Sequence, residues 1–282
     1  MDVKTQSLAA PHPAADGARA RDSWAGFFWF LIKLVLAVLV FRTVVFSPFS
    51  IPSESMLPRL MNGDFLLAAK WPYGLSRHSL PFDVSLPEGR ILARSPERGD
   101  IVIFKHPVGG QEYIKRVIGL PGDKVAMIGG TVILNGVQLR RDAVDDTVIP
   151  QSANTGCGWG GVVSHNTLSD APTAETCRYT AFRETLPGGK SFITLDFGPT
   201  PYDGFAEQTV PEGHLFVMGD NRDNSRDSRF AAMAGDGVGM VPQDLLVGRA
   251  AIIVWSTDGS ADWGDPFSWF DAARWDRIGN LL

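Results

Sequence analysis

The chain has 282 residues but only two cysteines and four tyrosines, and no block of basic residues. Two cysteines, Cys157 and Cys177, are too few for a disulfide-dense scaffold. Cys157-Gly158-Trp159-Gly160 with His165 falls short of a zinc ligand set, so no metal is expected. A net charge of −5 without a polybasic segment argues against a nucleic-acid partner. No nucleotide-binding glycine loop is present, and no cofactor is expected. There is no Gly-x-Ser-x-Gly elbow, and no lysine stands three residues after a serine, which excludes the Ser-x-x-Lys pattern. Histidine is scarce as a base too. His12, His78 and His165 lie in polar, turn-rich stretches, and His106 and His214 flank strands without an acid at triad-like spacing. A hydroxyl nucleophile in this chain would need a lysine base from another segment.

What is present points to short strands. The chain is 44% hydrophobic, with 30 Gly, 19 Pro and abundant Val, Ile, Phe and Thr, which predicts a mostly β fold with many turns and a sizeable core. The one long apolar run, Trp24 to Phe46, is interrupted by Lys33 and Arg42. As a helix it would be about 35 Å long, enough to span a bilayer, with both charges able to snorkel. No Ala-x-Ala-like site follows it, which disfavours a cleaved leader. Lys4, Arg19 and Arg21 precede the run and Arg42 and Arg59 follow it, mildly favouring an inside N-terminus. Residues 1–23 read as a cytoplasmic tail.

Beyond the run, Ile101 to Lys105, Tyr113 to Leu120, Leu215 to Met218 and Leu246 to Trp255 are expected strands, and Asn135-Gly136 marks a hairpin between Thr131–Leu134 and Val137–Leu139. Residues 71–97 form a Pro-, Gly- and Ser-rich excursion. Residues 257–282 carry Trp263, Phe267, Trp269, Phe270 and Trp275, suited either to headgroup level or to packing on the domain.

Three segments carry chemistry. Pro52-Ser53-Glu54-Ser55-Met56 places a hydroxyl just after the apolar run. Alternation along Glu112-Tyr113-Ile114-Lys115-Arg116 puts Lys115 on a face with Tyr113 and Val117; a lysine buried among apolar strand residues would be desolvated and biased towards the neutral amine, the alternative being a surface lysine that snorkels to water. Gly219 to Arg229, rich in Asp, Asn, Ser and Arg, follows the apolar Leu215 to Met218. Read as a calcium loop it fails, because Arg222 stands where an oxygen ligand is needed.

These segments, in this order, resemble bacterial type I signal peptidases, a Ser/Lys dyad family. The resemblance covers roughly residues 40–125 and 210–282, including Arg274-Trp275-Asp276-Arg277-Ile278-Gly279 near the end. It implies Ser55 as nucleophile and Lys115 as general base, with Ser53 and the Ser55 N–H stabilising the oxyanion. It implies that Ser225 hydrogen-bonds the lysine amine, and that Asp227 and Arg229 form an ion pair beneath the site. Phe49, Ile51, Pro52, Tyr113 and Ile114 would line shallow substrate pockets favouring Ala-x-Ala. Glu54 departs from a glycine common there.

The expected architecture is a membrane-anchored, signal-peptidase-like β fold. It has a transmembrane helix over 24–46, a catalytic core from 47–123 and 212–256, and an inserted accessory β region over 124–211. In an exported insert, Cys157 and Cys177 favour a disulfide, with two buried thiols as the alternative. Its reduction is expected to loosen the insert and spare catalysis. The implied activity is removal of signal peptides from preproteins by a monomer in the bacterial plasma membrane, with its catalytic domain on the outer, periplasmic side of the lipid bilayer. The alternatives are a processing peptidase dedicated to one substrate, and a membrane-tethered β scaffold needing neither Ser55 nor Lys115.

Overall fold

The computed structural model of the chain describes residues 21–76, 89–158, 160–165, 175–262 and 264–282. Residues 1–20 of the expected tail, part of the 71–97 excursion, His78 and Trp263 lie outside the described residues. The chain divides into two compact units, one ending at Phe41 and the other Arg42–Leu282.

The first unit is a helix, α1 (Arg21–Val44). Its side chains are described from 24 to 39, and Trp24, Phe27, Trp29, Ile32, Leu36 and Leu39 are all exposed. Among the described residues no helix is long and apolar enough to cross a membrane. The helix expected from sequence is present, over Arg21–Val44.

The second unit is mostly β, as expected. Its first strands are β1 (Phe46–Ser50), β2 (Asp64–Ala69), β3 (Ile101–Lys105) and β4 (Glu112–Gly119). Then come β5 (Lys124–Ile128), β6 (Thr131–Leu134), β7 (Val137–Gln138), β8 (Arg140–Pro150), β9 (Val162–His165), β10 (Glu175–Thr185), β11 (Ser191–Leu195) and β12 (Phe205–Thr209). The last are β13 (His214–Met218), β14 (Val241–Pro242) and β15 (Leu246–Ser256), before a single helical turn, α2 (Ser268–Asp271). The main sheet runs β1-β2-β15-β3-β4-β13-β14, beside a sheet of β8 to β11 and another ordered β12-β5-β6-β7. The β6–β7 hairpin turns on Asn135 and Gly136, both at positive φ (53° and 76°), which is what a two-residue hairpin of the right twist requires.

β4 and β13 are paired neighbours although residues 120–213 lie between them in the chain. This intervening segment shares core with them. Ile118, Phe216 and Met218 pack with Val125, Met127, Val132 and Leu134. The connection between β1 and β2, residues 51–63, carries the expected nucleophile. Met56 and Leu60 sink into the main-sheet core, while Leu57 and Met61 sink into a second cluster with Ile149, Cys177, Tyr179 and Leu195. Each such side chain, fully removed from water, contributes about 1.5–3 kcal/mol, so the connection is anchored on two sides. Its exit is fixed by Asp64, whose buried carboxylate accepts from Met61 N–H, Ser256 Oγ and the Arg277 guanidinium. The Arg274–Gly279 stretch therefore clasps the turn that closes the nucleophile connection, with Arg274 donating to Asn62 O at 2.7 Å.

Candidate active site

Ser55 and Lys115 meet. Lys115 Nζ lies 2.7 Å from Ser55 Oγ and donates to Ile114 O at 3.0 Å. Both residues are buried, at 8% and 3% exposure. Lys115 comes from the middle of β4, where the flanking Ile114, Val117 and Ile118 are buried for the reason their sequence suggests. Burial pushes the Lys115 ammonium down to about 8, against the pull of Asp227 and Asp220. A fully desolvated ammonium is costly unless paired, and the nearest carboxylates are engaged elsewhere.

Asp227 and Arg229 form the expected ion pair, with Arg229 Nε donating to Asp227 Oδ1 at 2.9 Å and Nη2 to Oδ2 at 3.0 Å. Burial alone would push the Asp227 carboxyl up, but Arg229 and the Gly219 N–H outweigh it and hold it below the usual carboxylate range. Ser53 Oγ stands 3.4 Å from Ser55 Oγ, on the groove side. Ser225 is buried nearby, but its hydroxyl makes no hydrogen bond of ordinary geometry, with only a weaker contact to Asp227. The bond expected from it to Lys115 is not formed here. The amine bonds to Ser55 and to its own strand instead, and Ser225 Oγ lies against Gly219.

A groove of about 620 Å³ runs past the pair, and Phe49, Ile51, Pro52, Tyr113 and Ile114 all line it, with Ser53, Ser55 and Lys115. Glu112, Asn224, Arg226 and Gly235 also line it and were not singled out from sequence. Two strand edges border the groove. β1 ends the main sheet, and among the described residues the strand it pairs with is β2. β13 reaches β4 only at Arg116, Val117 and Gly119, so among the described residues Glu112–Lys115 pairs with β3 alone.

The polar run holds the nucleophile connection from behind. Asn221 N–H donates to Ser55 O at 3.1 Å, and Asn221 Nδ2 donates to Glu54 O at 3.2 Å. The run is itself held by two buried pairs that sequence reading missed. Arg116 grips Asp220 bidentately (2.7 and 2.6 Å), and Arg222 pairs with Glu184 at 2.8 Å, both at 1% exposure. Arg116 is the residue next to Lys115, so β4 carries both the amine and the grip on the loop above it.

Cys157 and Cys177 are bonded, with Cα atoms 5.3 Å apart. The bond does not lie remote from the site. Cys177 shares its cluster with Leu57 and Met61 of the nucleophile connection.

Residues 24–255 match the family described as Signal peptidase, peptidase S26. The chain belongs to the signal peptidase family. The signal peptidase I of Rickettsia typhi is 34% identical over 234 residues, covering 79% of this chain and 77% of that protein. That of Rickettsia prowazekii is 35% identical over 242 residues, covering 82% and 79%. A crystal structure of a signal peptidase I from Enterococcus faecalis V583 is 27% identical and covers 55% of this chain and 97% of that one, at a TM-score of 0.28, too loose a likeness to bear on the fold. Within this signal peptidase, the residues expected to carry the chemistry come together in one groove.

Proposed function

We propose that this serine peptidase of the signal peptidase family uses Ser55 as nucleophile and Lys115 as general base, and cuts preproteins after Ala-x-Ala-like sites. The observation that carries the reading is the 2.7 Å approach of a buried amine, pushed down to about 8, to the Ser55 hydroxyl. The neutral amine takes the hydroxyl proton as Ser55 Oγ attacks the scissile carbonyl. The oxyanion is met by the Ser55 N–H and the Ser53 hydroxyl. The ammonium then protonates the leaving amine, an acyl-enzyme remains on Ser55, and water activated by the same lysine releases it. The Asp227–Arg229 pair sets the charge behind the base.

The substrate binds as an added strand. The edges of β1 and of Glu112–Lys115 border the groove and favour an extended peptide between them. Phe49, Ile51, Pro52, Tyr113 and Ile114 leave space for small side chains at alternate positions.

The enzyme acts on signal-peptide-bearing preproteins. We place it, as a monomer, in the bacterial plasma membrane with α1 as a single transmembrane anchor, residues 1–23 inside and the catalytic domain on the outer side. The apolar, exposed face of α1 and the short link from Val44 to Ser55 support this. An anchor of this kind raises the effective concentration of a membrane-held signal peptide. Residues 47–123 and 212–256 form the catalytic part, with 124–211 inserted and 257–282 as an aromatic C-terminal segment.

The test is cleavage of a preprotein with an Ala-x-Ala site by the detergent-solubilised full chain, comparing wild type, Ser55→Ala and Lys115→Met. Cleavage at that bond by wild type alone is the expected result. Activity surviving either substitution would place the chemistry elsewhere.

A further inference from the structure

Glu54 stands between Ser53 and Ser55, yet its side chain is not part of the groove lining. Its Oε2 accepts from Asn224 Nδ2 at 3.1 Å. Gly158 lies against the same oxygen, so close that a Cβ there would fall 2.1 Å from Glu54 Oε2. Gly158 directly follows Cys157, which is bonded to Cys177 in β10. Its N–H donates to Tyr179 Oη at 3.0 Å, and Tyr179 is buried two residues beyond Cys177. Cys177 and Tyr179 pack with Leu57 and Met61, which follow the nucleophile in the same turn. The disulfide-closed loop therefore touches the nucleophile connection twice, once through this apolar cluster and once through the Glu54 carboxylate.

We propose that Glu54 is a positioning residue for Ser55, and that the Cys157–Cys177 disulfide acts on catalysis through it. The disulfide holds Gly158 against the Glu54 side chain. Glu54, caught between Gly158 and Asn224 while Asn221 holds its carbonyl, keeps the Ser53–Ser55 turn at the distance from Lys115 that proton transfer needs. A glycine at 158 is part of the device, because a side chain there would displace the carboxylate. Its φ lies outside the left-handed region, so alanine fits the backbone and only the contact with Glu54 is at stake. Burial pushes the Glu54 carboxyl up, against the Asn224 bond, as fits a half-buried group. The inference rests on the Ser55/Lys115 reading.

The experiment measures kcat and KM separately for preprotein cleavage by the full chain in detergent. It compares wild type, Glu54→Ala, Glu54→Gln, Gly158→Ala and, as a control, Gly156→Ala, whose new methyl would meet nothing within 4 Å. Each is assayed oxidised and after a dithiol reductant has delivered two electrons and two protons to convert the bond to two thiols, with circular dichroism reporting that the fold persists. Glu54→Ala and Gly158→Ala should each lower kcat about tenfold with KM within about twofold, since a sub-ångström shift of a nucleophile acts on the chemical step. Glu54→Gln, which keeps the acceptor for Asn224, should stay within about threefold of wild type, and Gly156→Ala should match it. Reduction should lower wild-type kcat by a similar factor but add less than about twofold to Glu54→Ala, because the two changes break one coupling. Wild-type kcat in Glu54→Ala or Gly158→Ala overturns the proposal. So do effects of reduction and Glu54→Ala that simply multiply. An active Ser55→Ala would instead overturn the dyad reading, and an inactive Ser55→Ala beside a fully active Glu54→Ala would overturn only this inference.

Discussion

Asn221 holds Ser55 by its main chain: the Asn221 N–H donates to the Ser55 carbonyl at 3.1 Å, leaving the Ser55 hydroxyl to Lys115. The two segments can approach so closely because Gly219 has no side chain. A Cβ on Gly219 would lie 2.4 Å from Ser55 O and 2.3 Å from Ser225 Oγ. Gly219→Ala should therefore push the loop off the nucleophile connection. Overpacking of this kind costs about 1–3 kcal/mol. The variant is expected to melt lower and to lose most of its kcat, and full activity at unchanged melting temperature would contradict the described fit.

The pH dependence follows from Lys115. Its pKa is pushed down to about 8, so the amine is protonated below that pH and neutral above it. Only the neutral amine accepts a proton, so kcat/KM should rise through about pH 8 to a plateau, falling about tenfold per pH unit well below it. A profile flat from about pH 6 to 10 would remove Lys115 as the base.

Asp227 links stability to that profile. Its pairing with Arg229 holds its pKa down, so its contribution is present above the usual carboxylate range and is lost as pH falls through the folded value. Asp227→Asn leaves Arg229 buried without its partner, which costs about 3–5 kcal/mol and should show as a lower melting temperature. Asp227 also raises the Lys115 pKa while Arg229 lowers it. Removing the carboxylate should move the rising limb of the pH–rate profile to lower pH. A limb that stays in place would mean that the titrating base is not beside Asp227.

The Arg222–Glu184 pair makes the same kind of demand on the insert. Glu184 lies in β10, within the segment between β4 and β13, and its partner belongs to the polar run behind Ser55. Glu184→Ala should destabilise by about 3–5 kcal/mol, because it leaves a guanidinium at 1% exposure unpaired. Thermal melts of the variant check it, and a change below about 1 kcal/mol would mean the pair is not buried as described.

Much of this site was legible in the chain because its chemistry is local. Ser-Glu-Ser-Met after an apolar run, a lysine inside an apolar strand, and Asp227 two residues before Arg229 are short-range patterns, and it was their resemblance to a known family that gave each its role. The β6–β7 hairpin was legible for the same reason, since positive φ at Asn135 and Gly136 is written in those two residue types. The apolar run was legible as the helix α1.

Other features depended on partners far apart in sequence. Arg116 with Asp220 and Glu184 with Arg222 join residues that no spacing rule connects, since any buried arginine could pair with any of many carboxylates. The same holds for Arg274 and Arg277 on the turn at Asn62 and Asp64. Cys157 and Cys177 looked like part of an accessory insert because their segment is polar and remote in sequence, yet folding lays their cluster under Leu57 and Met61. Composition and local pattern by themselves determined a mostly β fold, because residue type and period suffice to set strand and turn; the roles of Ser55 and Lys115 came from the resemblance of their segments to a known family. Only the tertiary structure decided which carboxylate meets which guanidinium, where the groove opens and what braces Ser55, because those depend on how the chain closes upon itself.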